Sequence, residues 1–292
     1  MRKRKLTTLA ICFVMAILLF PITASADTGP KPSVRITFEN MGDETCYGTL
    51  LSRDPAYGPH NVWDGTPENI LDKGQNAVWQ AFIDYKDADG YYFQQEFWLC
   101  SEEKQLNWTY YPPYSFKILL YYPQLDTYAV SGVYERYAFD SYYTVDMSGV
   151  DIRSENAVLS ARQSYHYTWE LVSLVCRVIL TILLELVVAK LFSLWQRDIL
   201  RVILWVNVAT QLGLNILLNL INYSRGAFAF VGYYVLLECA VFMIEAIAYL
   251  FFLRKQRGQR FATIQIILYT LVANIVSFIG GMGVAAIIPG IF

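Results

Sequence analysis

The sequence predicts a mixed fold: an all-β extracellular sandwich of the immunoglobulin-like kind, followed by an all-α four-helix transmembrane bundle. Three observations lead there. The chain has 292 residues, 55% of them hydrophobic, and a mean hydropathy of +0.32, which a soluble chain of this length rarely reaches. Four apolar runs of spanning length lie in its C-terminal part. Ahead of them, short runs rich in Val, Ile, Thr, Tyr, Phe and Trp alternate with turn residues.

The N-terminus reads as a signal peptide over residues 1–26. A basic MRKRK is followed by the apolar LTTLAICFVMAILLF, and Ala24-Ser25-Ala26 offers a small-residue cleavage site before Asp27. An uncleaved anchor is the alternative, and either form carries residues from about 27 onward outside.

Residues 27–146 read as the extracellular β-domain. The candidate strands are SVRITFEN (33–40), CYGTLLS (46–52), NAVWQAFIDY (76–85), YYFQQEFWL (91–99), SFKILLYYP (115–123), TYAVSGVY (127–134) and YAFDSYYTV (137–145). About seven short strands with regular turns suit a sandwich, with a small barrel as the runner-up. Residues 147–168 read as a polar connector.

Residues 169–292 form the membrane part, with spans at about 169–192, 199–221, 228–253 and 263–289, each near the ~20 residues needed to cross the hydrocarbon core. Lys190, Arg197 and Arg201 flank the first turn between spans, and Arg254, Lys255, Arg257 and Arg260 fill the third, whereas the second holds only Arg225. The positive-inside rule puts turns one and three in the cytoplasm, which leaves residues 27–168 and the C-terminus outside a multi-pass cell-membrane protein.

Residues 27–168 contain 20 Asp and Glu against 10 Lys and Arg, a net charge of −10. Such a surface repels phosphate backbones and argues against nucleic acid. The expected partners are the lipid bilayer and a partner membrane protein or extracellular ligand of unspecified kind. Of the five cysteines, Cys12 falls in the signal peptide, and Cys176 and Cys239 fall in spans as apolar packing residues. Cys46 and Cys100 lie in the exported part and are a candidate disulfide, with two buried thiols as the equal alternative.

The strings TGPKPS (28–33), ETCYGTLLS (44–52), YPPYSFKILLYYP (111–123) and VYERYAFDSYYTVD (133–146), with LTILLELVVAKLF (180–192), carry a resemblance. Over most of the mature chain the sequence resembles an uncharacterised family of exported polytopic membrane proteins of Gram-positive anaerobic bacteria. The resemblance implies a bacterial cell surface and no activity.

Several sequence features of the outer domain have the character of sites. Asp87-Ala88-Asp89-Gly90 has some calcium-loop character, but Tyr85 falls on the first ligand position and strands flank it, so a hairpin turn is preferred. Asn107-Trp108-Thr109 matches a glycosylation sequon of low specificity. Tyr110, Tyr111 and Tyr114, around Pro112-Pro113, are a candidate aromatic binding loop, because prolines stop strand pairing there. The two histidines, His60 and His166, fit no metal-ligand pattern, and no HExxH, GxSxG, CxxC or Walker sequence occurs. No catalytic residue, metal or cofactor is therefore assigned, and the sequence favours a non-enzyme.

Polar residues inside the spans carry more information. A charge at mid-membrane costs about 2.5–3.5 kcal/mol on insertion scales and tends to face inward. Glu170, Arg177, Thr181 and Glu185 share one stripe of the first span. Asn207, Gln211, Asn215 and Asn219 recur every four residues in the second. Glu238 and Glu245 share a face of the third, and Asn274 and Ser277 lie in the fourth. Arg177, Glu185, Asn207, Gln211, Asn215, Glu238, Glu245 and Asn274 thus form a candidate intramembrane polar or ion site. The primary reading is a surface binding or sensing β-domain on a polar-cored anchor. The alternative is a small cation or proton transporter or channel using the intramembrane carboxylates.

Overall fold

The computed structural model describes residues 30–54, 76–154, 157–253 and 263–287. The expected signal peptide, the basic turn with Arg254, Lys255, Arg257 and Arg260, His60 and the last residues of the chain lie outside them. Two compact units emerge, one over Pro30–Tyr165 and one over His166–Asn222 with the residues from Ala227 on.

The first unit is β-rich. Its first sheet joins β1 (Ser33–Glu39), β5 (Gln105–Trp108), β9 (Asp140–Asp146) and β11 (Ala161–Gln163) in the order β11-β9-β1-β5. The second runs β10-β7-β6-β2-β3, from β2 (Tyr47–Ser52), β3 (Tyr92–Phe93), β6 (Ser115–Tyr122), β7 (Thr127–Ser131) and β10 (Ala157–Leu159). Two short strands, β4 (Trp98–Leu99) and β8 (Tyr134–Glu135), pair with β2 and β6. Both sheets are mixed, since β1 pairs parallel with β9 and β10 parallel with β7, and neither closes into a barrel.

Burial follows the side-chain period of two. On β1, Val34, Ile36 and Phe38 are buried while Arg35, Thr37 and Glu39 are exposed. These residues meet Leu106, Trp108, Tyr143 and Val145 of their own sheet, and Leu50, Phe116, Ile118 and Leu120 of the other, in one core. Strand β6 is buried at seven of its eight positions because both of its faces are covered, which accounts for its nearly unbroken apolar sequence. Leu119 and Tyr121 point away from the first core, into a second cluster with Leu51, Val78, Phe82 and Phe93.

That second cluster corrects the expectation of an all-β domain. Asn76–Asp84, read as a strand, is a helix, α1, and a further single turn, α2, spans Cys100–Glu103. Val78 and Phe82 are buried four residues apart on one helical face, against the outer side of the second sheet. The stretch 147–168, expected as a connector, supplies one strand to each sheet, β10 and β11. Its Ala157-Val158-Leu159 alternates buried, exposed, buried.

The second unit is helical: α3 (Tyr167–Leu191), α4 (Arg197–Phe252) and α5 (Thr263–Ile287). All three are long and apolar enough to cross a membrane. Helix α4 is two helices joined at Gly226, whose φ of 80° and ψ of 174° belong to a region essentially reserved for glycine. The helices are inverted relative to those of a soluble protein. On α3, Leu183, Val187 and Leu191 are exposed while Arg177 and Glu185 are buried. On α5, Ile275 and Ile279 are exposed while Thr270, Asn274 and Ser277 are buried. Apolar side chains outward and polar ones inward is the arrangement hydrocarbon surroundings require.

Candidate functional site

Glu185 of α3 and Glu245 in the second half of α4 are both completely buried. They sit in the same region because α3, the two halves of α4, and α5 each turn a polar stripe to the interior. Asn207 Nδ2 donates to Glu185 Oε2 at 2.5 Å and reaches the Tyr249 hydroxyl at 2.9 Å and the Ile203 carbonyl at 3.1 Å. The Thr210 hydroxyl donates to Glu245 Oε1 at 2.7 Å, and Asn274 Nδ2 donates to Glu245 Oε2 at 2.8 Å. Asn274 also donates to the Thr270 carbonyl one turn back, which fixes its orientation on α5. The two carboxyls are thus linked to two further helical segments, the first half of α4 and α5, through amides and hydroxyls only. A layer of Val188, Ile203, Tyr249, Tyr269 and Ala273 adjoins them and keeps their surroundings apolar.

The hydrogen-bonding inventory is unbalanced toward acceptors. Glu185 Oε1, Asn207 Oδ1, Asn274 Oδ1 and Glu238 Oε2 are buried oxygens without a hydrogen-bond partner among the described residues. No ion pair among the described residues reaches Glu185 or Glu245. The cation on the same stripe, Arg177, is eight residues away on α3, about 12 Å along the axis. Its Nη2 donates to Asn219 Oδ1 at 3.0 Å. Two carboxyls in an apolar interior, with no cation paired to them among the described residues, call for neutralisation by protons or by a bound cation.

The remaining candidates distribute as follows. Gln211 and Asn215 are buried, and Asn215 Nδ2 donates back to the Gln211 carbonyl at 2.8 Å. The expected ladder of amides is therefore not one network: Asn207 serves Glu185, Asn215 its own helix, and Asn219 the guanidinium. Glu238 is half-buried and hydrogen-bonded to Tyr234, apart from the two fully buried carboxyls. Three participants escaped the sequence reading: Thr210, Tyr249 and Tyr269. Tyr249 lies four residues after Glu245, so the i, i+4 rule that grouped the amides extends to it. Thr210 and Tyr269 carry no such signal.

In the β-rich unit, Cys46 and Cys100 are brought together but stand as free, fully buried thiols. The Cys100 N–H donates to the Cys46 carbonyl at 2.8 Å. Burial pushes the Cys46 thiol up to about 12, so it is not a nucleophile in this state. Tyr111 and Tyr114 are exposed, Tyr110 is half-buried edge-on to Tyr111, and the Lys31 ammonium lies 5.2 Å from the Tyr111 ring centre. The Asp87–Gly90 segment is a turn whose cation is Lys117. The Lys117 ammonium donates to Asp87 at 2.8 and 3.0 Å and to Asp89 at 2.6 Å. Asp87 also accepts from the Asp89 and Tyr91 N–H groups, which closes the turn. Among the described residues, no group of three or more His, Cys, Asp or Glu side chains is placed to hold a metal.

No family model matches the chain, and no curated protein or solved structure matches it significantly.

Proposed function

We propose that this chain is an exported, multi-pass protein of the bacterial cell membrane whose helical unit takes up a proton or a small cation at the Glu185–Glu245 centre. The observation that carries this reading is the pair of fully buried carboxyls, hydrogen-bonded to amides and hydroxyls and paired with no cation among the described residues. Buried ionisable groups among spans recur in ion pathways, where the alternative of an all-apolar core would be cheaper to build. The joint at Gly226 supports counting α4 as two crossings, hence a four-helix bundle. With Lys190, Arg197 and Arg201 inside, the β-rich unit and the C-terminus lie outside.

The test is proton and cation flux in liposomes holding the purified protein, comparing wild type with Glu245→Gln and Glu185→Gln. Flux in the wild type that falls at least tenfold in both variants is expected. Equal flux in all three, or none in the wild type for protons and alkali cations, removes the reading.

The exposed Tyr111 and Tyr114 favour a second role in the same molecule, an outside-facing, two-sheet immunoglobulin-like domain that binds or senses an extracellular ligand. Crosslinking from a photoreactive residue at position 114 on intact cells tests it. A discrete adduct supports a partner, and the absence of any adduct speaks against one at this loop.

A further inference from the structure

Within the helical unit, separate from the Glu185–Glu245 centre, lies a cavity of about 490 Å³, within the usual size range of small-molecule sites. Its lining is divided. Glu170, Arg177 and Asn219, from α3 and the first half of α4, form its polar side. Phe230 and Val235, from the second half of α4, and Phe278 of α5 form its apolar side. Arg177 is only 6% exposed, its Nη2 is held by Asn219 at 3.0 Å, and its guanidinium carbon lies 5.9 Å from the Phe230 ring centre. Glu170 is on the same helix two turns earlier, about 10 Å along the axis before the side chains reach toward or away from each other.

A cavity that is mostly apolar selects a ligand with a hydrocarbon body. The one fixed guanidinium selects an anionic oxygen group, for which its fork geometry is suited. The carboxylate of Glu170 on the same wall disfavours a ligand of net negative charge and favours one that also carries a positive group. The cavity lies among helices long and apolar enough to cross a membrane, so molecules combining these features surround it. We infer that this cavity is a binding site for a zwitterionic glycerophospholipid of the ethanolamine type, its phosphate on Arg177, its ammonium toward Glu170 and an acyl chain against Phe230, Val235 and Phe278. A purely anionic lipid complements Arg177 but is repelled by Glu170, and a diacylglycerol offers a charge to neither.

The full-length protein, purified in maltoside micelles and stripped of lipid, is titrated with dioleoyl phosphatidylethanolamine, dioleoyl phosphatidylglycerol and dioleoylglycerol, with bound lipid read by native mass spectrometry. The ethanolamine lipid is expected to bind about tenfold or more tighter than the other two. Arg177→Gln should abolish that preference. Glu170→Gln, at a partly exposed position, should raise the affinity for the phosphatidylglycerol to equal or exceed that for the ethanolamine lipid. Circular dichroism identifies a variant that fails to fold, and if Arg177→Gln does so the Glu170→Gln arm decides. Indistinguishable binding of the three lipids by the wild type, or an unchanged preference order in Glu170→Gln, overturns the assignment.

Discussion

Lys117 in the β-rich unit and Glu185 with Glu245 in the helical unit are all buried ionisable side chains, yet their surroundings differ in kind. Lys117 meets two carboxylates, one of them, Asp87, as buried as itself. Glu185 and Glu245 meet only uncharged donors, and Glu185 Oε1 has no hydrogen-bond partner among the described residues. The first arrangement is electrically complete and fastens a turn to a central strand. The second lacks a cation among the described residues, and the proposal of proton or cation uptake rests on that difference: burial alone would single out Lys117 as well.

The largest expected effect follows from breaking the complete arrangement. Lys117→Met leaves Asp87 buried beside Asp89 without a cation, and removing one member of a buried pair costs about 3–5 kcal/mol. The lowered midpoint should be visible in the thermal unfolding of the β-rich unit followed by near-ultraviolet circular dichroism, with its many tyrosines and tryptophans as the reporter. A variant that unfolds with the wild type would show that the Asp87–Gly90 turn contributes nothing to the fold. Lys117→Met combined with Asp87→Leu and Asp89→Asn should recover much of the loss, because no unpaired charge then remains.

The same cluster sets a smaller, pH-dependent effect of defined sign. Burial works against the Lys117 ammonium, but the hydrogen bonds and charges of Asp87 and Asp89 outweigh it and hold Lys117 above its ordinary 10.5. That contribution is fully present below 10.5 and is lost as pH rises through the higher folded value. The Lys117 hydrogen bond and charge hold Asp89 below its ordinary 3.8, so its contribution is present above 3.8 and disappears as pH falls through the lower folded value. The stabilisation from this cluster should thus be level between those limits and decline on both sides. In Lys117→Met the Asp89 share of the acid decline should shrink to the part that the nearby Arg53 charge sustains. Titrating the unfolding midpoint of both proteins over pH checks this, and parallel curves would sink the assignment.

Replacing the incomplete arrangement should cost less. Glu185→Gln and Glu245→Gln keep side-chain volume and one acceptor oxygen, replace the other oxygen by a donor as a protonated carboxyl would present, and remove the possibility of charge. If a proton neutralises these carboxyls, stability in micelles should change by about 1 kcal/mol or less, while flux is lost. A loss of several kcal/mol in a cation-free buffer would mean instead that the ionised carboxylates hold the helices together. The contrast with Lys117→Met would then disappear.

What was legible in the sequence follows from the range of each interaction. The long apolar helices were readable because length and apolar content are local, and the polar stripes because i, i+4 spacing is local too. Asn207, Glu245 and Asn274 fall on buried faces as that spacing implies. Their partners were not readable, since Asn207 meets Glu185 across 22 residues and Asn274 meets Glu245 across 29. Helix α1 was misread because Ala77, Val78 and Trp79 suit a strand as well as a helix, and the decisive pair, Val78 and Phe82, is short. Nor did the Asp87-Ala88-Asp89-Gly90 string disclose its cation, which lies thirty residues further on in the middle of β6. Two parallel strand pairings, β1 with β9 and β10 with β7, escaped for the same reason.

The smallest expected effect on stability concerns the aromatic loop, and it separates exposed aromatics from core ones. The tyrosines at 121, 122 and 143 are buried in the β-rich unit, whereas Tyr111 and Tyr114 are 38% and 55% exposed. Tyr111 keeps its edge contact with Tyr110 and its place beside Lys31, neither of which is desolvated enough to matter much. Tyr114→Ser should therefore stay within about 0.5 kcal/mol of the wild type, as surface substitutions usually do, and Tyr111→Ser close to it. Tyr143→Ser should lose several kcal/mol, because Tyr143 packs on Phe116 and Tyr134 and its hydroxyl donates to the Glu135 carbonyl at 2.5 Å. If Tyr114→Ser instead destabilised the unit as much as Tyr143→Ser, the loop would be structural and its exposure would cease to argue for a ligand. If stability holds while crosslinking to the partner is lost, the exposed ring at 114 is retained for contact and not for folding.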